Sequence, residues 1–294
     1  MDTQIIDGVR LANKIRLQIS DKVKNLKEKT GVIPGLAVIL VGNDPASNVY
    51  VKSKQKAAKD IGMNATDYLL SDTVNDSDVI ELIHNLNNDK LVHGILVQLP
   101  LPSNLSKTKI IDSIDPNKDV DGLHVVNMGK LMSGMQIFPP ATPYGIQKIL
   151  LDSGISVNSK HVVVLGRSEI VGRPISILMS QKGIGGDATV TVCHSQTQNI
   201  ESITRQADIL IAAIGRPNFV TGSMVKDGAV VIDVGINRVS DINKKRGYKL
   251  VGDVFFEEVR EKASAITPVP GGVGPMTIAM LLENTFQAAW ISSL

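Results

Sequence analysis

Lys54 has the placement that a proton-transfer group would need. If residues 48–61 form a helix, Tyr50, Lys54, Ala57 and Ile61 share one side of it at about 100° per residue. Three other lysines of the segment then lie on the opposite side, at positions 52, 56 and 59. An amine held on an apolar helix face has its charged form disfavoured, so it can transfer protons. The same pattern would also let Lys54 extend past Tyr50 to solvent, and the spacing alone favours neither interpretation.

Two further segments could supply partners for Lys54. VQLPLP (97–102) places Gln98 at the carboxyl edge of a predicted strand, where sites form in α/β sheets. DPNKDVDG (115–122) contains Asp119 and Asp121, which could equally serve only to shape a turn. These residues are therefore candidates for binding or orienting a substrate.

A third segment, TPVPGGVGPMT (267–277), is dense in proline and glycine. Such a segment fixes the shape of a loop and lets a ligand approach the backbone. A rigid connection between domains would use the same residues.

A phosphate-binding turn is predicted where the strand VVVLG (162–166) runs into GRSEIVGRP (166–174). We expect a helix to begin near Val171, and free N–H groups at a helix N-terminus favour phosphate. The motif departs from G-x-G-x-x-G because Gly166 and Gly172 are six positions apart, with Arg167 and Ser168 between them. A tight strand-to-helix turn would require glycine in any case.

The end of the next strand indicates which dinucleotide would bind. After ATVTVC (188–193) come His194 and Ser195, where NAD-binding folds usually carry an acidic residue for the ribose hydroxyls. A strand end without a carboxylate, with Arg167 nearby, suits a 2′-phosphate, so we expect NADP rather than NAD. His194 and Ser195 could instead cap the following helix.

Composition excludes several other classes of protein. The net charge of +2, without a basic run among aromatic residues, argues against a nucleic-acid partner. The only cysteine, Cys193, excludes a disulfide framework and Cys-based zinc sites and fits a reducing compartment. We expect a cytoplasmic protein with no metal site and no membrane span, because no stretch approaches about 20 apolar residues.

The length of 294 residues and the order of elements predict two α/β domains. The first domain begins with a helix from Leu11 to Leu26, ended by Gly31, and a strand at 36–42. An NDPAS loop then leads to a helix at 48–61. A strand near 65–70, a helix near 77–87 and a strand at 93–99 complete it. The prolines of FPPATPYG (138–145) mark the boundary. Beyond it come strand candidates at 162–166, 188–193, 208–215 and 229–235, a polar insert at 243–249 expected as a solvent loop, and a last helix from about Pro275 to Trp290.

These motifs together resemble the methylenetetrahydrofolate dehydrogenase/cyclohydrolase family. The ordered set comprises YVKSK (50–54), VQLPLP, DVDG (119–122), GRSEIVGRP, HSQT (194–197), DVGI (233–236), GDV (252–254) and TPVPGGVGPMT. It spans nearly the whole chain, and its last motif is highly specific. Departures occur only at tolerant positions, such as Glu169 and the insert at 243–249.

The resemblance implies a folate domain of residues 1–141 and 276–294 and a Rossmann-like NADP domain of residues 142–275, with an active-site cleft between them. It implies that Tyr50 stacks on the aminobenzoate ring, that Lys54 is catalytic, that Gln98 tunes Lys54, and that Asp121 holds the pterin. Further substrate contacts are implied at Pro270, Gly271 and Gly272. The implied cofactor contacts are Gly166, Arg167, Ser168, Ser195 and Ile236, with Arg167 and Ser195 at the 2′-phosphate.

The activity that the resemblance implies has two steps. NADP⁺ oxidises 5,10-methylenetetrahydrofolate to the 5,10-methenyl compound, and water converts that cation to 10-formyltetrahydrofolate. Lys54 would act either as a neutral base or as a charged hydrogen-bond donor. The family is commonly a homodimer joined through its dinucleotide domains. The alternatives are a dehydrogenase without the hydrolytic step and a non-catalytic dinucleotide-binding module.

Overall fold

The computed structural model describes residues 3–242, 244 and 247–294, which divide into two compact units. The three-stranded unit comprises Asn13–Ala141 and Ile278–Leu294, and the six-stranded unit comprises the residues up to Ala12 and Thr142–Thr277. Helices α1 (Gly8–Thr30) and α10 (Val273–Ser292) contribute to both units. Within the described residues, no helix combines the length and the apolar composition needed to cross a bilayer.

The three-stranded unit is built on a parallel sheet in the order β3-β2-β4. Its elements are β2 (Gly35–Val41), α2 (Pro45–Asp60), β3 (Asn64–Leu70), α3 (Asp76–Asn88), β4 (Gly94–Val97), α4 (Lys107–Ile111) and α5 (Val125–Met132). Every residue of β2 is buried, as expected of a central strand covered on both faces. The predicted strand at 36–42 is confirmed, whereas that at 93–99 is too long because β4 comprises only Gly94–Val97.

Helix α2 begins earlier than the sequence analysis placed it. The Asp44 side chain accepts a hydrogen bond from the Ser47 N–H at 2.7 Å, and Pro45 occupies the first turn, where its missing N–H is tolerated. The prediction of an NDPAS loop is therefore wrong, because these residues cap and start the helix.

The six-stranded unit contains a wholly parallel sheet in the order β1-β11-β8-β7-β5-β6, the predicted Rossmann-like arrangement. Its strands are β1 (Gln4–Ile5), β5 (His161–Leu165), β6 (Thr189–Cys193), β7 (Ile209–Ala212), β8 (Val230–Asp233) and β11 (Ala265–Ile266). Its helices are α6 (Ala141–Asp152), α7 (Gly172–Ser180), α8 (Ile200–Thr204) and α9 (Phe256–Arg260), with a 3-10 turn at Gly222–Met224. The four strands predicted here are confirmed, although the one at 208–215 is too long because β7 ends at Ala212.

An antiparallel hairpin of β9 (Asn237–Ser240) and β10 (Tyr248–Val251) follows β8. The predicted solvent loop at 243–249 is therefore wrong at Tyr248 and Lys249, which lie in β10, while residues 243, 245 and 246 of that insert are outside the described residues. The Arg238 guanidinium lies 4.7 Å from the centre of the Tyr248 ring, a contact between the two strands that favours the pairing.

The compact units differ from the predicted domain division at the start of the chain. Strand β1 pairs with β11, and the Ile6 N–H continues this pairing by donating to the Ile266 carbonyl at 2.8 Å. Residues up to Ala12 therefore belong with the six-stranded unit. The boundary segment 138–145 contains both the change of unit after Ala141 and the start of α6.

Candidate active site

Lys54 is buried in the three-stranded unit, with 7% of its surface exposed. Its Nζ donates a hydrogen bond to Gln98 Oε1 at 2.9 Å. The other end of that amide is also fixed, because Gln98 Nε2 donates to the Leu99 carbonyl at 2.7 Å. Gln98 therefore presents an acceptor to Lys54, and the interpretation in which Lys54 extends to solvent is wrong.

The opposite side of α2 carries the remaining lysines. Lys52, Lys56 and Lys59 are exposed, whereas Tyr50 is half-buried on the Lys54 side. Burial raises the pKa of the Tyr50 hydroxyl. The predicted division of the helix into an inward face and a solvent face is confirmed.

Burial changes the proton affinity of Lys54 and Asp121 in opposite directions. It lowers the pKa of the Lys54 ammonium, and the nearby Asp121 charge opposes part of that effect. Burial also raises the pKa of Asp121 to about 6; Lys54 lowers this pKa, and Asp119 raises it. Both groups are therefore shifted toward neutral pH, which is the condition for proton transfer by side chains.

The two aspartates of DVDG have different roles. Asp119 accepts hydrogen bonds from the His124 N–H and from Asn127 Nδ2, both at 2.8 Å, and from the Leu123 N–H at 3.2 Å. It thus holds the turn before α5, which is the structural interpretation offered by the sequence. Asp121 instead interacts with Lys54 through its charge.

Asn284 of α10 was not identified from the sequence. Its Nδ2 donates to the Val120 and Pro139 carbonyls, each at 2.9 Å, and its side chain is almost fully buried. It fixes the backbone beside Asp121. An asparagine in a mostly apolar helix was the signal that could have revealed it.

The turn after β5 requires glycine. Gly166 has a φ of +121°, and a Cβ there would lie 2.1 Å from the Ala213 carbonyl oxygen. Helix α7 follows at Gly172, and Ser168 Oγ accepts from the N–H groups of Val171 and Gly172 at 3.2 and 3.4 Å. The predicted strand–turn–helix is confirmed, with its helix starting one residue after Val171.

A cavity of about 270 Å³ opens at the carboxyl edge of the six-stranded sheet. The residues that line it are Gly166, Arg167, Ser168, His194, Ser195, Ile200, Ala213, Ile214, Arg216 and Phe219. Arg167 and Arg216 bring positive charge to it, and its lining carries no carboxylate, so an anionic ligand fits. Arg216 was missed from the sequence, although it follows the predicted strand at 208–215 directly.

His194 and Ser195 do not cap the next helix. His194 Nδ1 accepts from the Gln196 N–H at 3.2 Å, and α8 begins only at Ile200, after Asn199. The alternative offered for these two residues is therefore wrong, and Ser195 lines the cavity.

Four predicted site residues lie outside these clusters. Ile236 follows β8, is 43% exposed and does not line the cavity. Pro270, Gly271 and Gly272 precede α10 in the six-stranded unit, with Pro270 exposed and Gly272 buried. The structure thus brings together Lys54, Gln98 and Asp121 in one unit, and residues 166–168 and 195 in the other.

Two family models match the chain. The one described as tetrahydrofolate dehydrogenase/cyclohydrolase, catalytic domain, matches residues 6–121, and the NAD(P)-binding domain of the same family matches residues 140–293. The bifunctional protein FolD of Acetivibrio thermocellus is 53% identical over 98% of both chains, and that of Pelodictyon phaeoclathratiforme is 54% identical over 97% of both.

Solved structures show the same similarity. The FolD methylenetetrahydrofolate dehydrogenase/cyclohydrolase from Campylobacter jejuni is 48% identical, with a TM-score of 0.92 over 98% of this chain and 99% of that one. The Trypanosoma brucei methylenetetrahydrofolate dehydrogenase-cyclohydrolase, solved with NADP cofactor and an inhibitor, is 39% identical, with a TM-score of 0.94 over 99% of each chain.

Proposed function

The chain belongs to the tetrahydrofolate dehydrogenase/cyclohydrolase family, and on that premise we propose how its own residues perform the two reactions. The protein is a bifunctional enzyme. It oxidises 5,10-methylenetetrahydrofolate with NADP⁺ to the 5,10-methenyl compound and hydrolyses that compound to 10-formyltetrahydrofolate. The observation that carries the residue assignment is the buried Lys54 amine bonded to Gln98 at 2.9 Å.

The three-stranded unit supplies the Tyr50 and Asp121 contacts to the folate in this proposal. Tyr50 lies one helical turn before Lys54 and presents a half-buried ring for stacking on the aminobenzoate group. The Asp121 carboxylate accepts hydrogen bonds from the pterin ring. Pro270, Gly271 and Gly272 contribute further contacts to the substrate.

Lys54 acts as a base in the hydrolytic step. Burial favours its neutral amine, and the Gln98 carbonyl oxygen holds one N–H so that the lone pair is oriented. Water adds its oxygen to the methenyl carbon while one of its protons passes to Lys54 Nζ. The same proton then passes to N5 as the carbon–N5 bond breaks, the adduct hydroxyl loses its proton to solvent, and 10-formyltetrahydrofolate forms.

The six-stranded unit supplies the cofactor site. NADP⁺ bound there would supply the hydride acceptor for the oxidative step. The turn of Gly166, Arg167 and Ser168 would hold phosphate groups beside the start of α7, with Arg167 and Ser195 at the 2′-phosphate and Ile236 as a further contact. The fit is supported by the tight approach of Gly166 to Ala213 and by the cationic lining of the cavity.

The proposal extends to domains, assembly and location. Residues 1–141 and 276–294 form the folate domain and residues 142–275 the NADP domain, apart from the packing of residues up to Ala12 noted above.

We propose a cytoplasmic homodimer whose product supplies purine biosynthesis. Among the residues that the structure describes, strand β6 is an edge strand of the six-stranded sheet with Val192 37% exposed, which supports an interface there. Light scattering should give twice the mass of one chain, and a monomer across micromolar concentrations would refute the dimer.

A coupled assay tests the function. With 5,10-methylenetetrahydrofolate and NADP⁺, NADPH should appear, and the methenyl compound should decay faster than it does without enzyme. Decay at the spontaneous rate would leave only a dehydrogenase. A folded protein that produces no NADPH would contradict the oxidative activity.

A further inference from the structure

Two buried aspartates lie beyond the carboxyl edge of the six-stranded sheet, outside the cavity lining. Asp233 ends β8 and is 3% exposed, and Asp253 follows β10 and is fully buried. Buried carboxyl groups are costly unless they are hydrogen-bonded. Their partners therefore show what these residues do.

Asp253 joins two loops. Its Oδ2 accepts from the N–H groups of Ile214 and Gly215, at 2.7 and 2.9 Å, in the loop after β7. Its Oδ1 accepts from Asn237 Nδ2 at 2.9 Å, at the start of β9. One side chain therefore fixes the distance between the segment after β7 and the segment after β8.

Asp233 holds Asp253 in place. Its Oδ1 accepts from the Asp253 N–H at 2.9 Å, and its Oδ2 accepts from the Val254 N–H at 3.0 Å. The approach requires glycine at position 252, because a Cβ there would lie 1.7 Å from Asp233 Oδ2. Burial is the main cause that raises the pKa of Asp233 to about 7; the hydrogen bonds from the Asp253 and Val254 N–H groups oppose this rise, and the Asp253 charge contributes to it. The raised pKa limits repulsion between the two acids at neutral pH.

The loops joined by Asp253 are those assigned to the cofactor. Ile214 and Arg216 line the cavity, and Ile236 lies between Gly235 and Asn237. We propose that Asp253 is a positioning residue that sets the spacing of these two loops and thereby the affinity for NADP⁺. This inference rests on the proposed cofactor site.

Asp253→Asn tests the proposal with little change in size. The amide oxygen can still accept from Ile214 and Gly215, but the new NH₂ faces the NH₂ of Asn237. Loss of one buried hydrogen bond predicts a KM for NADP⁺ about tenfold higher, with a smaller change in kcat. Hydrolysis of added methenyltetrahydrofolate needs no hydride acceptor and should stay within about twofold, which separates loop positioning from unfolding.

Two further variants complete the test. Asp253→Asn combined with Asn237→Asp restores a donor facing an acceptor, so the KM should return to within about threefold of the parent. Asn237→Ala should also raise the KM for NADP⁺, as Asp253→Asn does. Asp208→Asn is the matched control, because Asp208 also accepts a backbone N–H, from His161 at 3.0 Å, but outside the cofactor cavity; it should leave the KM unchanged.

The outcomes distinguish this inference from the function on which it rests. A parent enzyme that does not saturate with NADP⁺ would refute the proposed cofactor. A parent that saturates, with an unchanged KM in Asp253→Asn and Asn237→Ala, would overturn the positioning role. An equal effect of Asp208→Asn, or no rescue by the exchange of the Asp253 and Asn237 side chains, would overturn it as well.

Discussion

Gln98→Leu should lower the pKa of Lys54 further. The substitution removes the oxygen that accepts from Lys54 Nζ at 2.9 Å and leaves an apolar side chain of similar size. A hydrogen bond from a charged donor is worth about 1.5–3 kcal/mol, and one pKa unit corresponds to about 1.4 kcal/mol. The neutral amine also donates to this oxygen, in a bond worth about 0.5–1.5 kcal/mol, so only the difference between the two bonds changes the pKa of Lys54. That pKa should fall by about 1 unit, adding to the effect of burial.

The assay is the pH dependence of kcat/KM for hydrolysis of methenyltetrahydrofolate, with the spontaneous rate subtracted. A neutral base predicts a rate that rises with pH through the pKa of Lys54 and then levels off. In Gln98→Leu this rise should occur about 1 pH unit lower, and the plateau rate should be lower because the amine is no longer oriented. Gln55→Leu is the matched control, because Gln55 adjoins Lys54 on α2 but is only half-buried.

Two results would refute this reasoning. If kcat/KM for hydrolysis rises over the same pH range in Gln98→Leu as in the parent, the Gln98 amide does not tune the pKa of Lys54. A rate that falls with pH through the same pKa, in parent and variant alike, would show that Lys54 works as a charged hydrogen-bond donor.

Three other predictions follow from the structure. The pKa of Asp121 is about 6 in the folded state, against 3.8 ordinarily. Because the carboxylate is the form that accepts from the pterin, kcat/KM for the folate should fall below about pH 6. Because the folded state binds the proton more tightly than the unfolded state, the free energy of unfolding should decrease as pH rises from about 4 to 6. Asp121→Asn should abolish both effects, in pH–rate profiles and urea titrations, and their persistence would contradict the assignment. Arg167→Ala should reduce the preference for NADP⁺ over NAD⁺ about 10- to 100-fold in kcat/KM, whereas Arg205→Ala should leave this preference unchanged. The same preference in both variants would refute the phosphate contact. Asn284→Ala leaves the Val120 and Pro139 carbonyl oxygens without their donor. Urea denaturation should then show a free energy of unfolding lower by about 2–4 kcal/mol, and a decrease below about 0.5 kcal/mol would contradict this role of Asn284.

Local periodicity correctly placed Lys54 on the inward face of α2, but it left open whether the amine reaches solvent. The positions of Tyr50, Lys54 and the three exposed lysines follow from helix geometry alone, whatever surrounds the helix. The start of α2 was predicted wrongly because Asp44 and Pro45 favour a turn as strongly as they favour a helix start. Their role depends on whether the chain continues as a helix, which composition does not decide.

Contacts between distant parts of the chain could not be predicted from spacing. Strands β1 and β11 have two residues each, too few to show alternation, and they exist because they pair with each other. The bond between Lys54 and Gln98 spans 44 positions and was expected only from the family resemblance. Asp253 lay within a recognised motif, but its contact with Ile214 appears only when the loops after β7 and β10 are folded.

The most direct test of the account compares Lys54→Gln with Lys56→Gln in the hydrolysis of methenyltetrahydrofolate. Lys56 is an exposed lysine of the same helix, so both variants make the same change of side chain, one on the buried face and one on the solvent face. Lys54→Gln should reduce the rate by about 10²–10⁴-fold while the KM for NADP⁺ is retained, and Lys56→Gln should remain close to the parent. Equal rates in the two variants would contradict the assignment of Lys54 as the group that transfers the proton.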